Sequence, residues 1–196
     1  MTTPQRKVIL DRAREMFSRQ SYHAISLEKI SSSLGIGKST IYHYFPTKQA
    51  LFTEMLKDSV SGLYKYVYSR LDKDQSIEEQ IYGLIKAVLE YFEENQDVFL
   101  LLLRERMDFL DLESIKQQLD SDFLAEYDRF IGHFREMVDG CKKDGQLVDV
   151  ESSVILASIF GTINASALSL IRNHPERRLT ELVDDCYQVV AKGILR

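Results

Sequence analysis

The sequence predicts an all-α protein: an N-terminal three-helix helix-turn-helix domain followed by a C-terminal antiparallel helical bundle, about nine helices in total. Three observations carry this expectation. The prolines, Pro4, Pro46 and Pro175, fall only where a helix would start or stop. No run of alternating β-branched residues and no Asn-Gly or Asp-Gly hairpin signal occurs. Residues 27–48, LEKISSSLGIGKSTIYHYFPTK, read as a helix, a glycine turn and a short helix, with a proline ending the second helix and a lysine opening a third.

The elements follow in order. A first helix over 5–19 sets Ile9, Ala13, Met16, Phe17 and Gln20 near one face, with Arg6, Arg12, Arg14 and Arg19 elsewhere. Ser26 is a natural N-cap for a helix over 27–34. Gly37 or Lys38 starts the next helix, which ends near Phe45 because Pro46 biases its predecessor away from helix. Thr47 caps a long helix over 48–71 that contains no proline and one glycine, Gly62, so the N-terminal part meets the rest through continuous helix. Ser76 with Glu79 forms a capping box that opens a helix over 77–94. A short apolar helix over 97–107 precedes a long one over 112–143, with room for one break, that Gly145 stops. Asp149 is expected to cap a helix over 150–171, and Thr180 one over 181–195. The division into domains on this reading is 1–47 and 48–196.

Composition narrows the class. With 44% hydrophobic and 28% charged residues, the chain has the balance of a folded globular protein and not of a disordered one. The first residues are polar and no apolar leader follows, which points to a cytoplasmic protein. The uncharged stretch 152–171 has the length of a membrane span. It carries Ser152, Ser153, Ser158, Thr162, Asn164, Ser166 and Ser169, and is expected to be a helix of a soluble bundle. Cys141 and Cys186 match no metal or redox spacing and read as small packing residues.

The net charge of −5 hides a split. Residues 1–50 hold eight basic residues against three acids, a balance of +5, and the remainder holds 17 against 27, a balance of −10. Attraction to phosphate acts over roughly 8 Å at physiological salt, so the local balance matters more than the total. In the helix-turn-helix, Ile30, Leu34, Ile36, Ile41 and Tyr44 supply a shared apolar core, Gly35 the turn, and Ser31 a small residue where the helices meet. Lys38, Ser39, Thr40, Tyr42 and His43 then face outward, a set suited to the major groove of double-stranded DNA. Lys48, at a helix N-terminus, suits a phosphate.

Residues 9–55 resemble the DNA-binding domain of the tetracycline-repressor (TetR) family. The resemblance is carried by Ala13, Phe17, Tyr22, Ser26, Ile30, Leu34-Gly35-Ile36, Lys38, Thr40-Ile41-Tyr42, Tyr44-Phe45, Lys48 and Ala50-Leu51. It implies that the second helix of the motif is the recognition helix, with Ser26, Thr40, Tyr42 and Lys48 at phosphates and Lys38, Ser39 and His43 at bases. Tyr44 is grouped with these DNA-facing residues as well as with the core. Three positions depart from the pattern: Ser21 stands in a turn usually made by glycine and is expected to strain toward the left-handed region, Ser31 replaces alanine, and Gly37 replaces a capping serine.

For the acidic remainder the resemblance implies a ligand-responsive repressor with a pocket among helices four to eight. Residues 51–196 hold seven tyrosines and eight phenylalanines. Tyr64, Tyr68, Tyr91, Phe99, Arg104, Met107, Phe123, Tyr127, Phe130 and Asn164 are the candidates to line a site for an apolar or aromatic effector. The helical spacing of Phe123, Tyr127, Phe130 and Phe134 serves a bundle core equally well. Ala157, Gly161, Ala165 and Ser169 form a ridge of small residues four apart. With Cys186, Tyr187 and Val190 on the last helix, it is the candidate homodimer surface, internal packing being the other use of such a ridge.

An enzyme is not expected. None of His23, His43, His133 and His174 has a glutamate three residues before it, and no phosphate loop, HExxH or nucleophile elbow occurs. Asp108, Asp111 and Glu113 read as a solvated helix end, so neither a metal nor another cofactor is expected. The alternative to a small-molecule effector is a DNA-bound protein whose C-terminal domain binds a protein partner.

Overall fold

The computed structural model of the chain describes residues 4–72, 74–108 and 121–195, with the side chains at 104–108, 123, 124, 126, 127, 130 and 131 outside the described set. Among the described residues there are nine α-helices: α1 (Pro4–Arg19), α2 (Leu27–Ser33), α3 (Lys38–Tyr44), α4 (Lys48–Tyr68), α5 (Ile77–Glu94), α6 (Gln96–Asp108), α7 (Ser121–Lys143), α8 (Ser152–Asn173) and α9 (Val183–Ile194). Two 3₁₀ turns, Tyr22–Ala24 and Leu179–Leu182, precede α2 and α9. The expected start of a helix at 112 lies outside the described residues.

The chain forms two compact units, Met1–Ser61 with Asn95–Leu124, and Gly62–Glu94 with Ala125–Arg196. In the first, α1 packs on α6 and on α2, and α2 packs on α3. Ile9, Ala13, Phe17, Ile25, Ile30, Ile41, Phe45, Leu51 and Met55 form its buried interior. Phe17, Tyr22 and Phe52 meet as an aromatic cluster, with Phe52 edge-on to both other rings at 5.0 and 4.8 Å. In the second unit α5 contributes a continuous inner stripe, Ile81, Leu84, Ile85, Val88, Leu89 and Phe92, against α8, α9 and the Leu179–Leu182 turn.

Several local expectations hold. Ser26 caps α2 by accepting the Lys29 N–H at 3.2 Å, and Thr47 caps α4 through the Ala50 N–H at 3.0 Å. Ser76 and Glu79 exchange both bonds of the capping box, at 3.0 and 3.3 Å. Among the described residues, Gly35 and Gly145 have positive φ, at +66° and +72°. Each closes its helix in the same way, with Ile36 N–H reaching the Ser31 carbonyl and Gln146 N–H the Cys141 carbonyl.

Three expectations are corrected. Ser21 is not strained: at φ −63° and ψ 154° it enters the 3₁₀ turn from extended backbone, and no left-handed residue is needed. Asp149 does not cap α8. That helix starts at Ser152 after Glu151, and Asp149 pairs with Lys142 at 3.8 Å. Nor does Thr180 cap α9, because its N–H and its hydroxyl both donate to Glu93 Oε2 at 2.9 Å. At Thr180 a carboxylate from elsewhere in the fold outcompetes the local cap.

Candidate nucleic-acid interface

The helix-turn-helix is held from inside by Ile30 and Ile41, both fully buried, with Leu34, Ile36 and Tyr44 half-buried around them. Ser31 is buried where α2 meets α3, and its hydroxyl donates back to the Glu28 carbonyl at 3.0 Å, so the small polar residue costs no unpaired group. Gly37 precedes α3 without a side-chain cap, as its lack of a hydroxyl requires.

This frame fixes which side chains face outward. Lys38, Ser39, Tyr42 and His43 are exposed, and Ser26, Thr40, Tyr44 and Lys48 are half-buried. Seven of the eight candidate residues therefore occupy the exposed face and rim of the α2–α3 element, and Lys48 opens α4. Their partners within the protein differ, however. The Lys48 ammonium donates to the carbonyls of Tyr22 at 3.0 Å and Ile25 at 3.1 Å, and lies 4.0 Å from the centre of the Tyr22 ring. Lys29 donates to the Ala24 carbonyl at 2.6 Å. The two lysines thus pin the 3₁₀ turn that leads into α2, and Lys48 positions the reading element as well as presenting a charge.

The basic excess of the N-terminal segment is also partly internal. Arg6 pairs with Glu54, Arg12 with Glu15, and Arg19 with Glu15. Arg14, only 18% exposed, pairs with Asp11, with Asp97 at 2.9 Å and with Asp58 at 3.6 Å. Arg6 and Arg14 thereby join α1 to α4 and α6, while Arg12 and Arg19 are engaged within α1. Reading the sequence for phosphate attraction missed this, since Glu54, Asp58 and Asp97 lie outside the segment counted. It counted Glu28 among the three acids but missed its bond: the Glu28 carboxylate accepts a hydrogen bond from the Tyr42 hydroxyl at 2.8 Å. That bond is the leading cause that holds the Glu28 carboxyl below the usual range, with Ser26 and Lys38 adding to it.

The ligand candidates are dispersed. Tyr64 and Tyr91 are buried in the second unit, Tyr68 is 40% exposed beside His133 and Phe134, and Asn164 is half-buried on α8. Phe99 is buried in the first unit. Arg104, Met107, Phe123, Tyr127 and Phe130 lie outside the described side chains. A cleft of about 970 Å³ does open in the second unit, along the outer face of α5, but none of the five described candidates lines it; Tyr66, Arg70, Tyr82, Glu90, Arg178 and Tyr187 do. Arg70 lies 3.4 Å from the Tyr66 ring centre and 3.6 Å from Glu90, and Arg178 holds Glu93 at 2.7 Å.

Of the dimer candidates, Ala157, Gly161, Ala165 and Ser169 are exposed along one side of α8, next to Val154 at 53%. The opposite side, Ile155, Leu156, Ile159, Ile163, Ala167 and Leu170, is buried, so the helix with the length and apolarity of a membrane span has one face in the core of this unit. Its Ser158 and Thr162 hydroxyls donate to the carbonyls of Val154 and Ser158 one turn back. Cys186 and Val190 are buried within the chain, and Tyr187 lines the cleft; on α9 it is Val189, 65% exposed, that faces out. Burial pushes both the Cys141 and the Cys186 thiol up, as inert packing residues require.

A short helix that exposes lysine, hydroxyls, a phenol and an imidazole while its isoleucine is locked into a glycine-turned partner defines a helix-turn-helix DNA-binding regulator. Residues 9–55 match the profile described as "Bacterial regulatory proteins, tetR family". Along almost its whole length it is similar to the nucleoid occlusion factor SlmA of Photobacterium profundum, at 22% identity over 96% of this chain and 95% of the relative. The fold is shared with the ketosteroid transcriptional regulator KstR2 of Mycobacterium tuberculosis, at a TM-score of 0.77 and 17% identity, covering 100% of this chain and 97% of that one. It is shared too with the transcriptional regulator FadR from Bacillus subtilis in complex with stearoyl-CoA, at a TM-score of 0.72 and 17% identity, covering 95% and 98%.

Proposed function

We propose that the chain is a cytoplasmic, homodimeric repressor released from a palindromic operator by a small apolar or aromatic effector. The observation that carries the DNA half of this reading is the exposed row Lys38, Ser39, Tyr42 and His43 on α3, set by the burial of Ile41. In functional terms residues 1–47 read DNA, and residues 48–196 bind the effector and the second copy. The exposed small-residue side of α8 is the surface offered to that copy. Two protomers place their recognition helices about one DNA turn, roughly 34 Å, apart, so that specificity is doubled by symmetry. An effector coupling of about 1–3 kcal/mol changes operator affinity roughly 5- to 150-fold.

The effector class is supported by the Bacillus subtilis neighbour, which was solved with an acyl-CoA. A second reading, a DNA-bound protein with a protein partner, is favoured by a full-length relative named for nucleoid occlusion. It is favoured also by the charged walls of the α5 cleft. One experiment separates them. Selection from a randomised duplex pool, followed by footprinting, yields two half-sites one turn apart. Titrating long-chain acyl-CoA and flat aromatic compounds into that complex then releases the protein if the first reading holds. Release by none of these compounds, with the operator complex intact, favours the protein partner.

A further inference from the structure

Between Glu15 and Glu54 the chain contains one acid, Glu28. It lies in the first turn of α2, where a negative charge complements the helix dipole. The dipole explains an acid there but not its partner. Tyr42 is 42% exposed, yet its hydroxyl donates to Glu28 Oε1 at 2.8 Å across the two helices of the reading element. Lys38 is near enough to add to the field that keeps Glu28 ionised. A hydroxyl donor on the exposed row of α3 is therefore engaged by the one carboxylate between Glu15 and Glu54.

We infer that Glu28 is a selectivity residue of the duplex interface: its carboxylate withholds the Tyr42 hydroxyl from the phosphates of general duplex and releases it where an exocyclic base amine takes the tyrosine's place as donor. Sequence-independent binding rests on phosphate contacts. On an arbitrary site the protein either forgoes the Tyr42–phosphate bond or leaves an ionised carboxylate unpaired beside phosphate oxygens. In the major groove the cytosine N4 and adenine N6 amines are the donors a carboxylate can accept from. At a site that offers one, Glu28 and Tyr42 are both satisfied. Glu28 thus weakens general binding more than cognate binding.

The inference rests on the DNA-binding reading above, and a wild-type chain that binds no duplex would sink that reading instead. The test is Glu28→Gln, which keeps length and removes charge, measured on random-sequence duplex and on the duplex selected by the wild type. Random duplex is expected to bind about fivefold tighter, the selected duplex less than about twofold tighter. In the pool selection, a half-site position fixed as cytosine or adenine by the wild type becomes degenerate. Tyr42→Phe, nearly silent on random duplex in the wild type, removes the gain in the Glu28→Gln background. If Glu28→Gln fails to fold, Glu28→Asp retains the charge but falls short of Tyr42, and also tightens random binding. Equal changes on both duplexes, no tightening on random duplex, or an unchanged base preference would each overturn the assignment.

Discussion

The pair α2–α3 and the pair α8–α9 are both helices packed on helices, yet side-chain roles in the first are dictated locally and those in the second by the rest of the fold. In α2–α3, Gly35 at φ +66°, the Ile36-to-Ser31 closure and the Ser26 cap fix the angle between two seven-residue helices. Once Ile30 and Ile41 are inside, every other side chain has its side assigned. In α8–α9, apolar residues occupy both faces. Val189 is exposed while its neighbour Val190 is buried, and only the packing of α9 on α5 and α8 decides between them. A reading element that must present chosen atoms to a duplex is built from short-range constraints; a bundle that must only close over apolar surface is not.

This contrast can be broken from its strongest point downward. Ile41→Ala empties a fully buried site at the α2–α3 contact and is expected to cost about 2–5 kcal/mol in denaturant unfolding, with duplex binding lost alongside. A loss under about 1 kcal/mol would mean that the local frame is not what holds α3. Next comes Gly62 on α4, where an added Cβ would meet the Tyr91 hydroxyl at 2.6 Å. Gly62→Ala gains helix propensity but drives a rigid ring away, and a net loss of about 1–3 kcal/mol is expected by thermal melting. Adding Tyr91→Phe, which removes the clashing atom, should recover part of that loss; strictly additive losses would refute the contact.

Gly35→Ala probes the turn alone. A Cβ there meets nothing within 4 Å, so its expected cost of about 1–2 kcal/mol is purely the left-handed backbone. Stability unchanged by this substitution would show that the turn relaxes. The smallest effect belongs to the second unit. Burial works to raise the Glu93 carboxyl, but donors on Thr180 and Arg178 outweigh it and hold the group below its ordinary value of 4.5. A depressed carboxylate contributes stability above that value and loses it as pH falls through the lower folded value. Glu93→Gln should therefore flatten the acid limb of the stability profile below about pH 4.5 while changing little of the profile's shape near neutrality. An acid limb identical to wild type would contradict the assignment.

The same contrast explains what the sequence disclosed. The bounds of α2, α3 and α5, the caps at Ser26, Thr47 and Ser76, and both turn glycines were legible because each depends on residues within one turn of chain. The outward row of α3 was legible for the same reason. The caps expected from Asp149 and Thr180 were not realised: α8 starts later, at Ser152, with Asp149 beside Lys142, and Thr180 is held by Glu93, distant in sequence. Arg6 and Arg14 counted toward the basic excess until Glu54, Asp58 and Asp97 were brought to them by folding. Cys186 and Val190 looked like contact residues because an apolar face does not declare whether its partner is the same chain or another. The Tyr42–Glu28 bond joins residues 14 apart across the turn, and only the crossing of α2 and α3 reveals it.

Duplex DNA is bound by the exposed row of α3 with Lys48 beside it at a phosphate, and the salt dependence of duplex affinity tests this most directly. For a dimer with about three phosphate contacts per protomer, affinity should fall roughly a thousandfold between about 50 and 200 mM salt, and Lys48→Ala should lower the logarithmic slope by about 1 per protomer. A flat salt profile, or a chain that ignores duplex even in dilute buffer, would contradict the account.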